Sequence, residues 1–174
     1  AVWLLIPVAV LFGYALFLYL QTGSWTAWYS AQVDGWQRTM TWPWESAIRT
    51  LEAVEPGGYA DQNGWGTMMR AEVVAMAVGV LTVGWCLGRR LWAEASWVAV
   101  QVLAFSMSVW WISVNRAVLL WFPTWLMLAT LIEWRPARPA ARIAHHLAVG
   151  VLLAVGLGFM LWWARMFFTG AWAS

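Results

Sequence analysis

Residues 147–168 read LAVGVLLAVGLGFMLWWARMFF, and this stretch decides the class of the protein. It carries a single charge, Arg165. A helix needs about 20 predominantly apolar residues to cross the hydrocarbon core of a bilayer. The apolar residues follow one another without alternation, unlike those of a strand that has one face in water. The sequence therefore predicts a transmembrane helix at residues 147–168.

Four other apolar runs have a comparable length. Together with the first run they predict five spans, at about 1–20, 71–88, 91–107, 117–132 and 147–168. Helices are favoured over strands because an open sheet edge leaves backbone groups unsatisfied in lipid. The predicted fold class is all-α, a polytopic integral membrane helix bundle that forms a single membrane domain over residues 1–174. Residues 106–115 leave two alternatives, an extension of the third span or a tight Trp-rich turn.

The composition excludes several classes of protein. Apolar residues make up 63% of the chain, charged residues make up 10%, and the mean hydropathy is +0.65. Soluble domains are typically about 45–50% apolar and about 25% charged. A soluble enzyme, a disordered chain and a disulfide scaffold are therefore excluded. The single cysteine, Cys86, forms no internal disulfide, and the net charge of +2 gives no reason to expect a nucleic-acid partner.

The arginines predict the orientation in the membrane. Half of the ten basic residues lie in two short loops on the same side of an alternating bundle: Arg89, Arg90, Arg135, Arg138 and Arg142. The positive-inside rule makes that side cytoplasmic. The segment 21–70 then lies outside, and its three Arg and five Asp or Glu residues give it a net charge of −2. The C-terminus is also expected on the extracytoplasmic side.

Tryptophan is concentrated in the outer segment 21–70. The chain has 18 Trp residues, and Trp is enriched where a membrane meets water. Six aromatic residues crowd together in this segment: Trp25, Trp28, Tyr29, Trp36, Trp42 and Trp44. We expect the segment to lie in the plane of the interface. Two interpretations stay open, a surface helix that packs on the bundle and a wall of a lipid-side substrate groove.

Two stretches and a short tail carry a resemblance to a known family. The first stretch contains Phe17-Leu18-Tyr19-Leu20-Gln21-Thr22-Gly23-Ser24, Ala31-Gln32, Gly35-Trp36, Arg38 and Trp42-Pro43-Trp44. The second is Asn115-Arg116-Ala117-Val118-Leu119-Leu120-Trp121-Phe122-Pro123, and the tail is Phe167-Phe168-Thr169-Gly170-Ala171-Trp172. This order resembles the C-terminal half of bacterial PIG-V-type mannosyltransferases, which are polytopic glycosyltransferases of the GT-C class.

The resemblance implies an activity and a location. It implies transfer of mannose from polyprenyl-phosphate-mannose, the donor, on the extracytoplasmic face of the bacterial inner (plasma) membrane. Members of the family carry their essential acidic residue in the first outer loop, near the N-terminus of the full protein. We therefore expect this chain to be part of a longer protein and inactive by itself, with its catalytic residue unknown. No cofactor is identified.

Four residues are candidates for substrate binding. Arg116 lies beside Asn115 at the outer end of the fourth span, and an arginine there can bind the carrier phosphate through two parallel hydrogen bonds. The alternative is an arginine that snorkels to the interface. In the outer segment, Trp36 and Arg38 are candidates for contacts with the sugar or the phosphate, and the alternative for Arg38 is a surface ion pair with Asp34.

The remaining polar residues are expected to be structural. Glu72, at the start of the second predicted span, is expected to stabilise the N-terminus of its own helix. Glu45, Glu52 and Glu55 are expected on a solvated face, and Gln101 is expected to bond to a neighbouring helix. The adjacent His145 and His146 point about 100° apart on a helix and would chelate poorly, so no metal site is predicted.

Two functions of other classes compete with the enzyme. One is a small non-catalytic accessory subunit at the periphery of a larger membrane complex, with its Trp-rich surface in contact with lipid, pigment or protein. The other is half of a transporter, which the lack of paired intramembrane charges disfavours. The expected partners are membrane lipids, a lipid-linked sugar donor, and a missing N-terminal half or other membrane subunits.

Overall fold

A computed structural model describes residues 2–57 and 65–170, and the regular elements in these ranges are all helical. The α-helices in this part of the chain are α1 (Ile6–Thr22), α2 (Ala27–Trp36), α3 (Pro43–Val54), α4 (Trp65–Gly88), α5 (Trp92–Ser106), α6 (Val114–Ala117), α7 (Phe122–Glu133) and α8 (Pro139–Phe168). Short 3-10 turns precede α1 at Val2–Leu5 and follow α6 at Val118–Leu120. The all-α prediction is confirmed for these residues. Asp61 and the end of the aromatic tail, residues 171–174, lie outside them.

Two of the described helices, α4 and α8, are long and apolar enough to cross a membrane. Two further pairs of segments meet the same criteria only when each pair is taken together. These pairs are α1 with α2, bent by 77°, and Val114–Leu120 with α7, bent by 75°. The described residues therefore contain two candidate spans, or up to four if each bent pair is one span. The number five stays a prediction, since α5 has only 15 residues.

The predicted span 117–132 is divided in the structure into two helices. Pro123 lies at the second position of α7 and has no backbone N–H to donate to the preceding turn. Its ring would also clash with the carbonyl four residues earlier in a continuous helix. Trp121 therefore leaves the helical conformation, at φ −86° and ψ 68°, and α7 starts in a new direction.

Two other helices begin earlier than their apolar runs. The helix α4 begins at Trp65 rather than at residue 71, and α8 begins at Pro139 rather than at residue 147. Proline is favourable in the first turn of a helix, where its missing N–H has no partner to lose. Hydropathy marks the part of a helix that fits in lipid, and these helices extend beyond it.

The chain divides into two compact units, Ala1–Thr41 and Trp42–Ser174. The first unit consists of α1 and α2, joined by a turn at Gly23, whose φ of 72° lies in the left-handed region that glycine adopts without strain. The rings of Tyr19 and Trp25 stack in this turn with centroids 4.4 Å apart. That both units form one membrane domain stays a prediction.

In the second unit, α4 is the central helix and packs against α3, α5, α6 and α7. The buried apolar residues that form its core are Ala75, Met76, Val98, Val114, Ala117 and Trp121. The indole Nε1–H of Trp121 donates to Oε1 of Gln101 on α5 at 3.2 Å. This bond confirms that Gln101 reaches a neighbouring segment, although that segment is the break before α7 rather than a helix.

Most residues of α8 are exposed, and none of them is fully buried against the described chain. Its most apolar window has a mean hydropathy of 2.2. A helix that is apolar on every side is stable only where lipid or protein surrounds it. The structure thus supports an integral membrane protein.

Candidate functional site

The turn between α5 and α6, residues 107–113, is held against α3 by two buried hydroxyl groups. The Oγ–H of Ser46 donates to the carbonyl oxygen of Ser108. The Oγ1 of Thr50 accepts the backbone N–H of Trp111 at 3.1 Å and donates its own hydrogen to the carbonyl of Ser46 at 2.8 Å. This turn is the Trp-rich alternative of the two left open by the sequence for residues 106–115.

A buried glutamate of α4 holds the end of the same turn. The carboxylate oxygen Oε1 of Glu72 accepts the backbone N–H of Ser113 at 2.9 Å, and Oε2 accepts that of Asn115 at 3.0 Å. The residue is only 1% exposed. Burial of a carboxylate is costly unless hydrogen bonds replace its water, and these two bonds do so. They also satisfy two N–H groups that the start of α6 leaves without helical partners.

The expectation for Glu72 is therefore wrong in one respect. Because α4 begins at Trp65, Glu72 lies two turns inside its own helix and does not stabilise the N-terminus of that helix. It bonds instead to the N-terminus of α6, which lies about 40 residues further along the chain. A lone acidic residue within an otherwise apolar span was the available signal, because such residues usually have a specific partner.

Arg116 is attached to this arrangement through Ser113. Its Nη2–H donates to the Oγ of Ser113 at 2.7 Å, while the arginine side chain as a whole is exposed. Ser113 has a φ of 69°, a left-handed conformation that is unusual for a residue other than glycine. We call Glu72, Ser113, Asn115 and Arg116 the Glu72 cluster. It presents the cation of Arg116 at the surface of α6, whose N-terminal end is bonded to a buried side chain.

Two polar atoms, one in the cluster and one in the preceding turn, have no hydrogen-bond partner within the described residues. They are Nε1 of Trp111 and Oδ1 of Asn115, and both are buried atoms. Buried polar atoms in proteins are nearly always hydrogen-bonded, to protein or to ordered water. One is a donor and the other is an acceptor, so the turn retains capacity for a water molecule or a polar ligand.

The structure brings together two of the four predicted site residues, Asn115 and Arg116. The other two, Trp36 and Arg38, belong to the first unit. Trp36 is the last residue of α2 and is 58% exposed, and the backbone N–H of Arg38 donates to the carbonyl of Gln32 at 3.2 Å. A role of Trp36 and Arg38 in substrate binding stays a prediction.

The other titratable residues of the described chain do not form a metal-binding group. Glu45, Glu52 and Glu55 are exposed along and just after α3. In the part of the chain that the structure describes, no three His, Cys, Asp or Glu residues are grouped so that they could hold a metal ion. His145 instead makes an edge contact with the ring of Trp134, at 5.2 Å between centroids.

Comparison with protein-family models, with curated proteins and with solved structures finds no match to this chain. The resemblance to the mannosyltransferases thus depends on the quoted residues alone. Of these, Asn115 and Arg116 are also the residues that the structure places in the Glu72 cluster. The cluster is our candidate functional site because it joins an exposed cation to a buried carboxyl group.

Proposed function

We propose that this chain is part of a membrane mannosyltransferase and that Arg116 binds the phosphate of polyprenyl-phosphate-mannose. The observation that carries the proposal is the exposed guanidinium of Arg116, oriented by its 2.7 Å bond to Ser113. That bond uses one of the five N–H donors of a guanidinium and leaves four for a phosphate. Guanidinium groups match the geometry of phosphate oxygens and stay charged at any physiological pH.

The position of the Glu72 cluster along the axis of α4 is consistent with a donor that is used outside the cell. Glu72, which bonds to the turn of Arg116, and Arg89, just after α4, are 17 positions apart, or about 25 Å at 1.5 Å per helical residue. That distance is close to the thickness of the hydrocarbon core, which is about 30 Å. With Arg89 and Arg90 on the cytoplasmic side, Arg116 lies near the extracytoplasmic surface.

In this proposal the bundle has five spans. The helices α1 and α5 and the run 117–132 join α4 and α8 as spans, and the Trp-rich segment 21–70, which includes α2 and α3, lies along the outer surface of the bacterial inner membrane. Asn115 contacts the donor beside Arg116. Trp36 and Arg38 remain candidates for contacts with a sugar or a phosphate. The acidic catalytic residue is supplied by another segment or another chain.

A non-catalytic accessory subunit is the second candidate function, and α8 is the observation that favours it. A 30-residue apolar helix without a buried residue offers a long surface to a neighbouring membrane protein. An accessory subunit would purify in a fixed ratio with a larger membrane protein and would not need Arg116. The mannosyltransferase proposal, by contrast, requires that residue.

The proposal is tested by the substitution Arg116→Gln in the intact membrane-embedded protein. Mannose transfer from polyprenyl-phosphate-mannose, measured with labelled mannose, should fall about tenfold or more, which corresponds to about 1.4 kcal/mol in the transition state. Arg49→Gln is the matched control, because Arg49 is an exposed arginine of α3 outside the cluster. Unchanged transfer by the Arg116 variant would overturn the role of Arg116.

A further inference from the structure

We propose that Glu72 is a positioning residue, which sets the direction of the Arg116 side chain through Ser113. The inference rests on the proposed function, because it assigns to Glu72 the task of preparing Arg116 for a phosphate. Glu72 is buried and does not touch the ligand in this role. It acts on the ligand only by fixing the residue that does.

The connection from Glu72 to Arg116 consists of two successive hydrogen bonds through one residue. The backbone N–H of Ser113 donates to Oε1 of Glu72 at 2.9 Å, and the side-chain Oγ of Ser113 accepts from Nη2 of Arg116 at 2.7 Å. Ser113 therefore joins a buried carboxyl group on one side to an exposed cation on the other. A shift of its backbone changes the position of Oγ and with it the direction of the guanidinium.

The backbone conformation of Ser113 is one that the bonds to Glu72 help to hold in place. A left-handed φ of 69° is unfavourable for serine and persists only where the surroundings hold it. The second bond of the carboxylate, to the N–H of Asn115 at 3.0 Å, fixes the chain two residues further on. With both bonds in place, the backbone on either side of Val114 cannot rotate freely, and Val114 itself is buried in the core.

Preorganisation explains why such an arrangement would favour binding. An arginine side chain has several rotatable bonds, and a ligand that orders them must overcome the entropy that is lost. A guanidinium already held by Ser113 loses less of this freedom when a phosphate arrives. Glu72 thereby increases the affinity for phosphate without touching it, because it lies inside the protein and bonds to backbone amides.

The substitution Glu72→Gln separates this role from a merely structural one. A glutamine side chain has one acceptor oxygen in place of two, so one of the two backbone N–H groups loses its partner. We expect faster amide hydrogen exchange at Ser113 or Asn115, with protection of the α4 core around Met76 retained. The affinity for decaprenyl phosphate should fall about fivefold or more, and we expect a fall of the same size in Arg116→Gln.

The experiment is a double-mutant cycle on the intact protein in lipid nanodiscs, with decaprenyl phosphate as the probe. The variants are Glu72→Gln, Arg116→Gln and the pair. Glu94→Gln, in the first turn of α5, is the matched control and should bind as the unmodified protein does. If Glu72 acts through Arg116, Glu72→Gln weakens binding when Arg116 is present. It has no further effect on binding when Arg116 is already replaced by Gln.

A second variant keeps the test decisive if Glu72→Gln does not fold. Ser113→Ala removes only the Oγ that accepts from Arg116 and leaves the backbone N–H bond to Glu72 in place. It should reproduce the loss of affinity without faster exchange at Asn115. Binding of Ser113→Ala at the affinity of the unmodified protein would overturn the connection through Ser113.

The remaining outcomes distinguish the inference from the function on which it rests. If Glu72→Gln binds normally, or weakens binding equally with and without Arg116, Glu72 does not position Arg116 and the inference is wrong. If Arg116→Gln itself binds decaprenyl phosphate normally, the proposed function is wrong, and the role of Glu72 in ligand binding is overturned with it.

Discussion

The indole ring of Trp121 lies directly against the backbone of Gly79 on α4. A Cβ atom placed on Gly79 would be 2.6 Å from Cζ3 of Trp121 and 2.7 Å from Cγ2 of Val102 on α5. Both distances are well below the contact distance of two carbon atoms, which is about 3.5–4.0 Å. Gly79 therefore marks a close approach of α4 to α5 and to the break before α7.

The substitution Gly79→Ala should destabilise the second unit. The new methyl group displaces Trp121, which is completely buried, and such overpacking costs about 1–3 kcal/mol. Unfolding of the purified protein in detergent measures the change. Gly84→Ala is the control on the same helix, because a Cβ there meets nothing within 4 Å. That variant should be neutral or more stable by up to about 1 kcal/mol, and equal losses in both would contradict the packing described.

A hydroxyl pair between α4 and α7 should stabilise their contact modestly. The Oγ1 atoms of Thr82 and Thr124 are 3.0 Å apart and buried, and Thr82 donates its hydrogen to the carbonyl of Val78. Thr124 is thus the donor in the pair. A double-mutant cycle with valine at both positions should give a coupling of about 0.6 kcal/mol, the average for hydrogen bonds between membrane helices.

Thr130 provides the matched control for this cycle. Its Oγ1–H donates to the carbonyl of Met127 on the same helix at 2.8 Å. Thr130→Val combined with Thr82→Val should therefore show a coupling near zero. A coupling as large as that of the Thr82–Thr124 pair would mean that the measurement reports helix stability in general rather than the bond between helices.

The orientation of the chain can be measured by cysteine labelling. The native Cys86 is buried and gives no background with a membrane-impermeant maleimide. Glu52→Cys and Arg142→Cys place single reporters at two exposed positions. In intact cells residue 52 should react, and residue 142 should react only after lysis, because the positive-inside rule predicts that the arginine-rich loops are cytoplasmic. The reverse pattern would place the Glu72 cluster on the cytoplasmic side and exclude an extracytoplasmic donor site.

The candidate site was predictable in part. Asn115 and Arg116 stand out in the sequence because a charge beside an apolar run needs a reason. Glu72 is just as prominent, yet its role was not predictable, since its partners are backbone N–H groups about 40 residues away. No side-chain pattern marks a backbone amide. The left-handed conformation of Ser113 was equally hidden, because serine carries no preference for it.

The helices, too, were predictable only in part from the sequence. The apolar runs were enough to predict the apolar parts of α4 and α8, because hydropathy is a property that each residue contributes independently. They did not predict where the two helices begin, at Trp65 and Pro139. The break at Trp121 was not predicted, although Pro123 is visible in the sequence, because proline is also common in the first turn of an uninterrupted helix. Whether a proline starts a helix or breaks one depends on what its neighbours pack against.

The sequence by itself determined that this protein is helical and belongs in a membrane. Its apolar residues are too numerous and too continuous for any fold that must present a polar surface to water. Only the tertiary structure decided that Glu72 faces the turn of Arg116 and that Trp121 covers Gly79. The physical reason is that solvent preference is a sum over local residues, whereas a buried hydrogen bond or a close packing contact requires two distant segments to meet.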